Sequence, residues 1–210
     1  MNDETRNPLL DGQPAYPLLV VLSGPSGVGK DSIVMRMREL GFSFHFVVTA
    51  TSRPIRPGER EGYDYHFVSR ERFEEMISQG ELLEWANVYG HYKGIPKSEI
   101  RQALASGRDV ILRIDIQGAA TICRMVPGTT TIFVAPGSFA ELRARLQWRR
   151  TEDPDEIERR LEFAAREMEA IDNFDYVVMN REDRLDDTVG QIRAIVTAEK
   201  QRVHPRRVEL

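Results

Sequence analysis

The chain predicts an α/β fold in which a parallel sheet is covered by helices on both faces. Three observations carry this. Short apolar runs recur as "PLLVVLSG" (17–24), "DVILRID" (109–115), "TTTIFVA" (129–135) and "FDYVVMN" (174–180), and continuous runs of this length mark strands buried on both sides. Segments with helical spacing lie between and after them, so the strands are joined by crossovers, as parallel neighbours require. The first run ends in a glycine-rich turn that leads straight into a helix.

Taken in chain order, "MNDETRNPLLDGQPAYP" holds acids and three prolines. It does not read as a signal or transit peptide, and residues 1–16 are expected to form a loose tail. After the first strand, "DSIVMRMREL" sets Ile33, Val34, Met37 and Leu40 at helical spacing. "SFAELRARL" opens with the capping-box pair Ser138 and Glu141, and "DPDEIERRL" puts Asp153, Pro154 and Glu156 at favoured first positions. The last helix carries Leu185, Val189, Ile192 and Val196 on one face. Two stretches interrupt the rhythm. Residues 49–97 are rich in Gly, Pro, Tyr and Arg, with β-like "YDYHFVS" and helical "ERFEEMIS"; residues 140–167 are helical and dense in arginine. Both read as insertions on one domain, 17–200, whose core spans about 17–48, 98–139 and 168–200. Residues 201–210 are expected as a second tail.

The bulk properties exclude several classes. Of 210 residues, 41% are apolar and 30% charged, with a net charge of −4. That balance gives no general attraction for nucleic acid or an anionic membrane, so neither is expected as a partner. No apolar run reaches membrane-spanning length. Cys123 is the single cysteine, which excludes an internal disulfide and fits a reducing, cytoplasmic setting.

"SGPSGVGKDS" (23–32) fits the phosphate-loop pattern G-x-x-x-x-G-K-[S/T] at Gly24, Gly29 and Lys30, with Asp31 where a hydroxyl is expected. Gly24, Gly27 and Gly29 let successive N–H groups turn inward, so the loop Gly24, Pro25, Ser26, Gly27, Val28, Gly29, Lys30, Asp31 and Ser32 forms a cradle for ATP phosphates. The helix beginning near Lys30 adds its positive end, and Lys30 can bridge the terminal phosphates. Asp31 has three readings: a magnesium ligand, a charge favourably placed at a helix start, or a group that repels the phosphates. The last is disfavoured by the presence of Lys30. Asp115, at the carboxyl end of an apolar strand, stands where a parallel sheet places ligands and metal water.

Further along, Arg53, Arg56 and Tyr65 offer two guanidinium forks and a phenol to a second phosphate, or form a solvated basic loop. Glu84 beside Trp85 can accept two hydrogen bonds from guanine N1–H and N2–H₂, which adenine cannot supply. Taken alone, such a pair is also an ordinary surface acid beside an indole.

Together, "SGPSGVGK", "TSRPIRPGE…GYDYHFVS", "GELLEWA", "YGHYKGIPK", "IDIQGA" and the arginine-rich segment resemble the guanylate kinases over about 17–200. The resemblance implies a three-layer P-loop kinase core with a GMP-binding insertion (49–97) and a helical lid (140–167) that closes over ATP. It assigns GMP binding to Thr49, Arg53, Arg56, Tyr65 and Glu84, and puts Asp115 near the metal. Arg145, Arg149 and Arg160 become lid arginines that reach the phosphates, unless they pair with Glu152, Asp155 or Glu156 on the surface. Asn180 becomes a neighbour of the adenine ring. Three residues depart from the family pattern: Asp31 for the loop hydroxyl, Lys93 for a tyrosine on the GMP phosphate, and Arg113 for an acid. Lys93 can still bind phosphate, and Arg113 can donate to guanine O6, which Ile95 cannot. All three departures recur in the plant-organellar and some bacterial members, which share "GVGKD" and "LRIDIQGAAT".

The implied reaction is phosphoryl transfer from ATP to GMP or dGMP with Mg²⁺, with Lys30, Arg53, Arg145, Arg149 and Arg160 as the catalytic set and Asp31 and Asp115 at the metal. Two rivals stay open: a P-loop kinase of a phosphorylated sugar, and a non-catalytic phosphopeptide-binding module. Monomer and homo-oligomer are equally open.

Overall fold

The computed structural model describes residues 16–88, 90–148 and 154–208. Its main sheet has the order β2-β7-β1-β8-β9, every neighbouring pair parallel, with β1 at Leu19–Ser23, β2 at His45–Phe46, β7 at Val110–Arg113, β8 at Thr130–Pro136 and β9 at Tyr176–Asn180. All five residues of β1 are buried. Strand alternation sends Val20 and Leu22 to one face and Leu19 and Val21 to the other, so both faces need cover. α1 (Lys30–Glu39) and α7 (Leu185–Lys200) supply it on the first face through Ile33, Met37, Val189 and Ile192. On the second, α3 (Lys97–Ala105) and α4 (Ile116–Met125) pack Ile100, Ala103, Ala119 and Ile122. The expected three-layer α/β arrangement is therefore present. Leu40 is the exception among the periodic positions: it caps α1 and is 48% exposed.

A second sheet, order β4-β3-β6-β5, is built from β3 (Ala50–Thr51), β4 (His66–Phe67), β5 (Leu82–Val88) and β6 (His91–Pro96). α2 (Arg70–Ser78) covers it through Phe73 and Met76, and begins at Ser69, whose hydroxyl accepts from the Arg72 amide. α5 (Phe139–Trp148) and α6 (Pro154–Met168) form their own cluster with Leu142, Leu146, Ile157, Leu161 and Ala164. Only half of the predicted capping box forms. The Glu141 amide donates to Ser138 Oγ, but the Glu141 carboxylate turns to the Glu182 amide, 3.1 Å away. Among the described residues no helix is long and apolar enough to cross a membrane.

The expected C-terminal tail is docked as far as it is described. Val208 packs on the second core cluster, and Arg206 bonds Thr129 O, both oxygens of Asp175 and the Glu199 carboxylate. Glu199 is 1% exposed and also takes Tyr176 Oη and Arg202. A buried carboxylate that loses a partner is costly. Arg206→Ala is accordingly expected to lower unfolding free energy by about 2–3 kcal/mol, read by urea denaturation, whereas Arg202→Ala at the exposed rim costs less than half of that.

Candidate active site

β1 runs directly into the glycine loop, and two positions show why side chains are excluded there. A Cβ on Gly24 (φ 143°) would lie 2.2 Å from the Val134 carbonyl oxygen, and one on Gly29 (φ 99°) 2.4 Å from Asn180 Nδ2. Both φ values are in the range that favours glycine. Gly29 is the N-cap of α1 and offers no capping side chain, which leaves the helix N-terminus open toward the loop. Lys30, the first helical residue, folds its ammonium back onto Gly24 O and onto Pro25 O at 3.0 Å. Burial lowers its pKa to about 8, against the raising pull of Asp31, Glu167 and Asp115.

The loop faces a cleft of about 720 Å³ whose far wall is the second sheet. Thr49, Arg53, Arg56, Tyr65, Glu84, Lys93, Arg113 and Asp115 all line it, together with Lys30, Asp31, Ser32 and Arg160. β5 delivers Glu84 at a register irregularity opposite Ile95, and the carboxylate passes close to Gly118, where a Cβ would lie 3.2 Å from Glu84 Oε2. Among the described residues Glu84 has no hydrogen-bond or ion-pair partner. Burial, and then the Asp115 charge, raise its pKa to about 7. Asp115, which lines the cleft, caps α4 by accepting from the Gly118 amide at 2.8 Å through one oxygen. Lys93 on β6 is likewise shifted toward its neutral form, first by burial.

The cations are organised by acids. Arg53 meets both oxygens of Glu59 at 2.7 and 3.0 Å, and the Arg56 amide donates to the same carboxylate. The Arg56 side chain stays exposed at the cleft rim. Arg113 bonds Asp31, donates to Asp64 O at 3.3 Å and lies 4.9 Å from the Tyr65 ring centroid. Burial opposes its charge, but Asp31 and its other neighbours outweigh that and move the guanidinium above its ordinary value. In the structure Arg113 is thus engaged with Asp31 and the 64–65 loop. The same pairing turns the carboxylate of Asp31, expected at the metal, toward a cation.

The arginine-rich segment divides in two. Arg160 on α6, 8% exposed, donates to Ser26 Oγ at 2.7 Å and so reaches the loop from the cleft side. Arg145 on α5 does not line the cleft; it bonds Val28 O at 3.0 Å and Asn180 O at 2.9 Å, behind the loop. Asn180 joins it there, its amide donating to Val28 O at 2.7 Å. Arg149 lies outside the described residues. Sequence reasoning missed Glu167 and Phe163, which line the cleft with Arg160. Phe163 lies three and Glu167 seven residues after Arg160, a helical face that was available as a signal. Glu167 Oε2 accepts from the Ser26 amide at 3.2 Å, an anion resting on a loop N–H, and burial pushes its pKa up.

A parallel sheet whose middle strand enters a glycine cradle, followed at once by a lysine on a helix, is the architecture of the P-loop kinases. The family model described as guanylate kinase matches residues 16–199. The chain is 49% identical to guanylate kinase 2, chloroplastic/mitochondrial, of rice (Oryza sativa subsp. japonica), over 94% of this chain and 70% of that protein. It is 45% identical to the guanylate kinase of Desulfitobacterium hafniense, over 90% and 93%. The crystal structure of guanylate kinase from Anaplasma phagocytophilum superposes with a TM-score of 0.75 at 31% identity, covering 90% of this chain and 89% of that one. The chain belongs to the guanylate kinase family.

A carboxyl with a raised folded pKa holds a proton that the unfolded chain has released. Between the ordinary carboxylate value and about 7, the folded state therefore binds more protons, and stability falls as pH rises through that window. Glu84→Gln removes this loss. It is expected to stabilise the ligand-free protein by about 1 kcal/mol at pH 8, after allowance for solvent screening, and to be near neutral at pH 4. Thermal melts at the two pH values check this.

Proposed function

We propose that the chain transfers the γ-phosphoryl group of ATP to GMP or dGMP, giving ADP and GDP or dGDP. One observation carries the choice of acceptor: Glu84, a half-buried carboxylate without a partner among the described residues, held in the cleft that Lys30 also lines. Guanine N1–H and N2–H₂ would satisfy it, and their arrival would restore its charge. Adenine would leave it unpaired. Arg53, Arg56, Tyr65 and Lys93 line the same cleft and supply the charge and hydroxyl for the GMP phosphate.

The acceptor phosphate oxygen is already anionic, so the reaction needs no general base. The bond from the β–γ bridging oxygen to the γ-phosphorus breaks as the GMP oxygen bonds that phosphorus, and the electron pair leaves with ADP. The chain's part is alignment and charge. The loop amides and the open end of α1 hold the ATP phosphates; Lys30 and Arg160 meet the charge on the transferred group. Residues 49–97 serve as the GMP-binding insertion and 140–167 as the lid, whose closure keeps water from the γ-phosphate. Arg145 and Asn180 act behind the loop, bracing Val28 on the side proposed for adenine.

Magnesium accompanies ATP in this reading, and the residues fit it. The ion keeps several waters and binds substrate phosphates with one or two protein oxygens. Asp115 has one oxygen outside its capping bond and Ser32 is exposed in the first turn of α1, both on the cleft. These two would hold the ion, which when bound neutralises phosphate charge. The cytoplasm is the proposed compartment, because the exposed Cys123 fits a reducing setting.

A nucleotide panel in a coupled ADP-release assay tests the reading: GMP and dGMP are expected to turn over far faster than AMP, CMP or UMP, and equal rates with AMP would reject it. Glu84→Gln is expected to cost about 1–3 kcal/mol in kcat/KM for GMP. Below pH 7 the ionised fraction of Glu84 falls about tenfold per unit. GMP affinity of the parent should therefore weaken more steeply toward acid than that of Glu84→Gln, a comparison that cancels the titration of the GMP phosphate itself. Lys30→Met is expected to lower kcat by about 10²–10³ while GMP binding, measured by calorimetry, stays within about twofold of the parent.

A further inference from the structure

Asp31 and Arg113 stand 82 positions apart in the chain and meet in the cleft. Arg113 ends β7, in register with Leu22 of β1, so its side chain emerges beside the phosphate loop. Its guanidinium makes contacts to two different parts of the molecule. One nitrogen bonds Asp31 in the first turn of α1, next to Lys30; another donates to Asp64 O at 3.3 Å; its centre lies 4.9 Å from the Tyr65 ring centroid. A planar fork can make an ion pair, a carbonyl bond and a ring contact together, which a lysine ammonium cannot do with the same geometry. The two partners are unequally exposed: the Arg113 side chain is 16% exposed and that of Asp31 is 55%. The arginine is the enclosed member, and Asp31 is the acid that answers its charge.

Tyr65 is the other end of this contact. Arg53 and Lys93 also approach its ring, at 5.6 and 5.8 Å from the centroid. Arg53 is already paired with Glu59, so loss of Asp31 leaves Arg113 and Lys93 as the like charges crowded beside Tyr65, and the Asp64 carbonyl as the remaining hydrogen bond of Arg113 given above. We propose that Arg113 is a positioning residue for the second substrate and Asp31 its anchor, so that the first turn of the phosphate-loop helix holds Tyr65 in place for GMP. This rests on the reading of the cleft as a GMP site. It differs from the two other roles open to Asp31. A metal ligand acts only when ATP and magnesium are present, and a helix-end charge affects stability alone.

Calorimetric titration of GMP into the protein, with neither ATP nor magnesium present, separates these roles. Asp31→Asn is expected to weaken GMP binding about tenfold, and Arg113→Met by a similar factor, because each breaks the same pair. The double variant is expected to bind no more weakly than Arg113→Met alone. Arg113→Lys keeps the charge but loses the fork, and is expected to fall with Arg113→Met; together with Asp31→Asn it keeps the test decisive if Arg113→Met fails to fold. Unchanged GMP affinity in Asp31→Asn overturns the proposal, as do losses that multiply fully in the double variant. So does a raised magnesium requirement in Asp31→Asn with normal GMP binding, which assigns the residue to the metal. If the parent protein itself binds no GMP, the proposed function fails, and that result is distinct from any of these.

Discussion

The carboxyl edge of one parallel sheet positions nearly every group in the site, and β1 sets that edge. It is buried on both faces, and its register with β7 and β8 fixes where each strand stops. Leu22 pairs with Arg113, so the phosphate loop, Arg113 and Asp115 emerge side by side. Val134 of β8 pairs with Val178 of β9, and its carbonyl lies against Gly24 so closely that no Cβ fits between. In a parallel sheet all strands point the same way, and ligands collect beyond their carboxyl ends for that reason. A one-residue slip of β7 would exchange its buried and cleft-facing side chains and take Arg113 away from Asp31.

Within that frame the cleft is electrostatically unfinished. Burial drives Lys30 and Lys93 down and Glu84 and Glu167 up, each toward its neutral form. Groups with shifts in both directions share one cavity, a pattern that marks a candidate functional site. Phosphates would relieve the lysines, and a guanine edge would relieve Glu84. The Glu167 contact with the Ser26 amide shows the same need from the other side: an anion already rests on a loop N–H. In the proposed reading, bound substrates would relieve these shifts.

Much of this was legible in the sequence. The four longer strands of the main sheet and the glycine loop were marked by apolar runs and spacing, signals that are local. What escaped was set by tertiary contact. β2 is two residues long, too short for any periodicity to register. Arg145 and Arg160 have the same chemistry in neighbouring helices, yet one bonds the Val28 carbonyl and the other Ser26 Oγ on the cleft. Nothing in residue type separates them; the packing of α5 beneath Gly27, through Leu146 and Leu142, does. The segment after α7 looked like a tail because its polar residues carry no pattern. It docks through ion pairs with Asp175 and Glu199, and these partners become visible only once the chain is folded.

The three residues that depart from the family pattern, Asp31, Lys93 and Arg113, are scattered through the sequence and converge on a single ring. Lys93 and Arg113 flank Tyr65, and Asp31 pairs with Arg113. Read one at a time, Asp31 looks like a damaged loop, Lys93 like a replaced hydroxyl and Arg113 like a misplaced charge. Read together they balance. A cation added at Lys93 and another at Arg113 would repel each other beside Tyr65, and the carboxylate that answers them comes from Asp31 in the first turn of α1. Magnesium needs few protein oxygens when ATP supplies phosphates, so the loop can give up the hydroxyl expected there, and Ser32 follows immediately in the same exposed turn. In the proposed reading, the acid at position 31 acts on the second substrate's side of the cleft, through the arginine it holds.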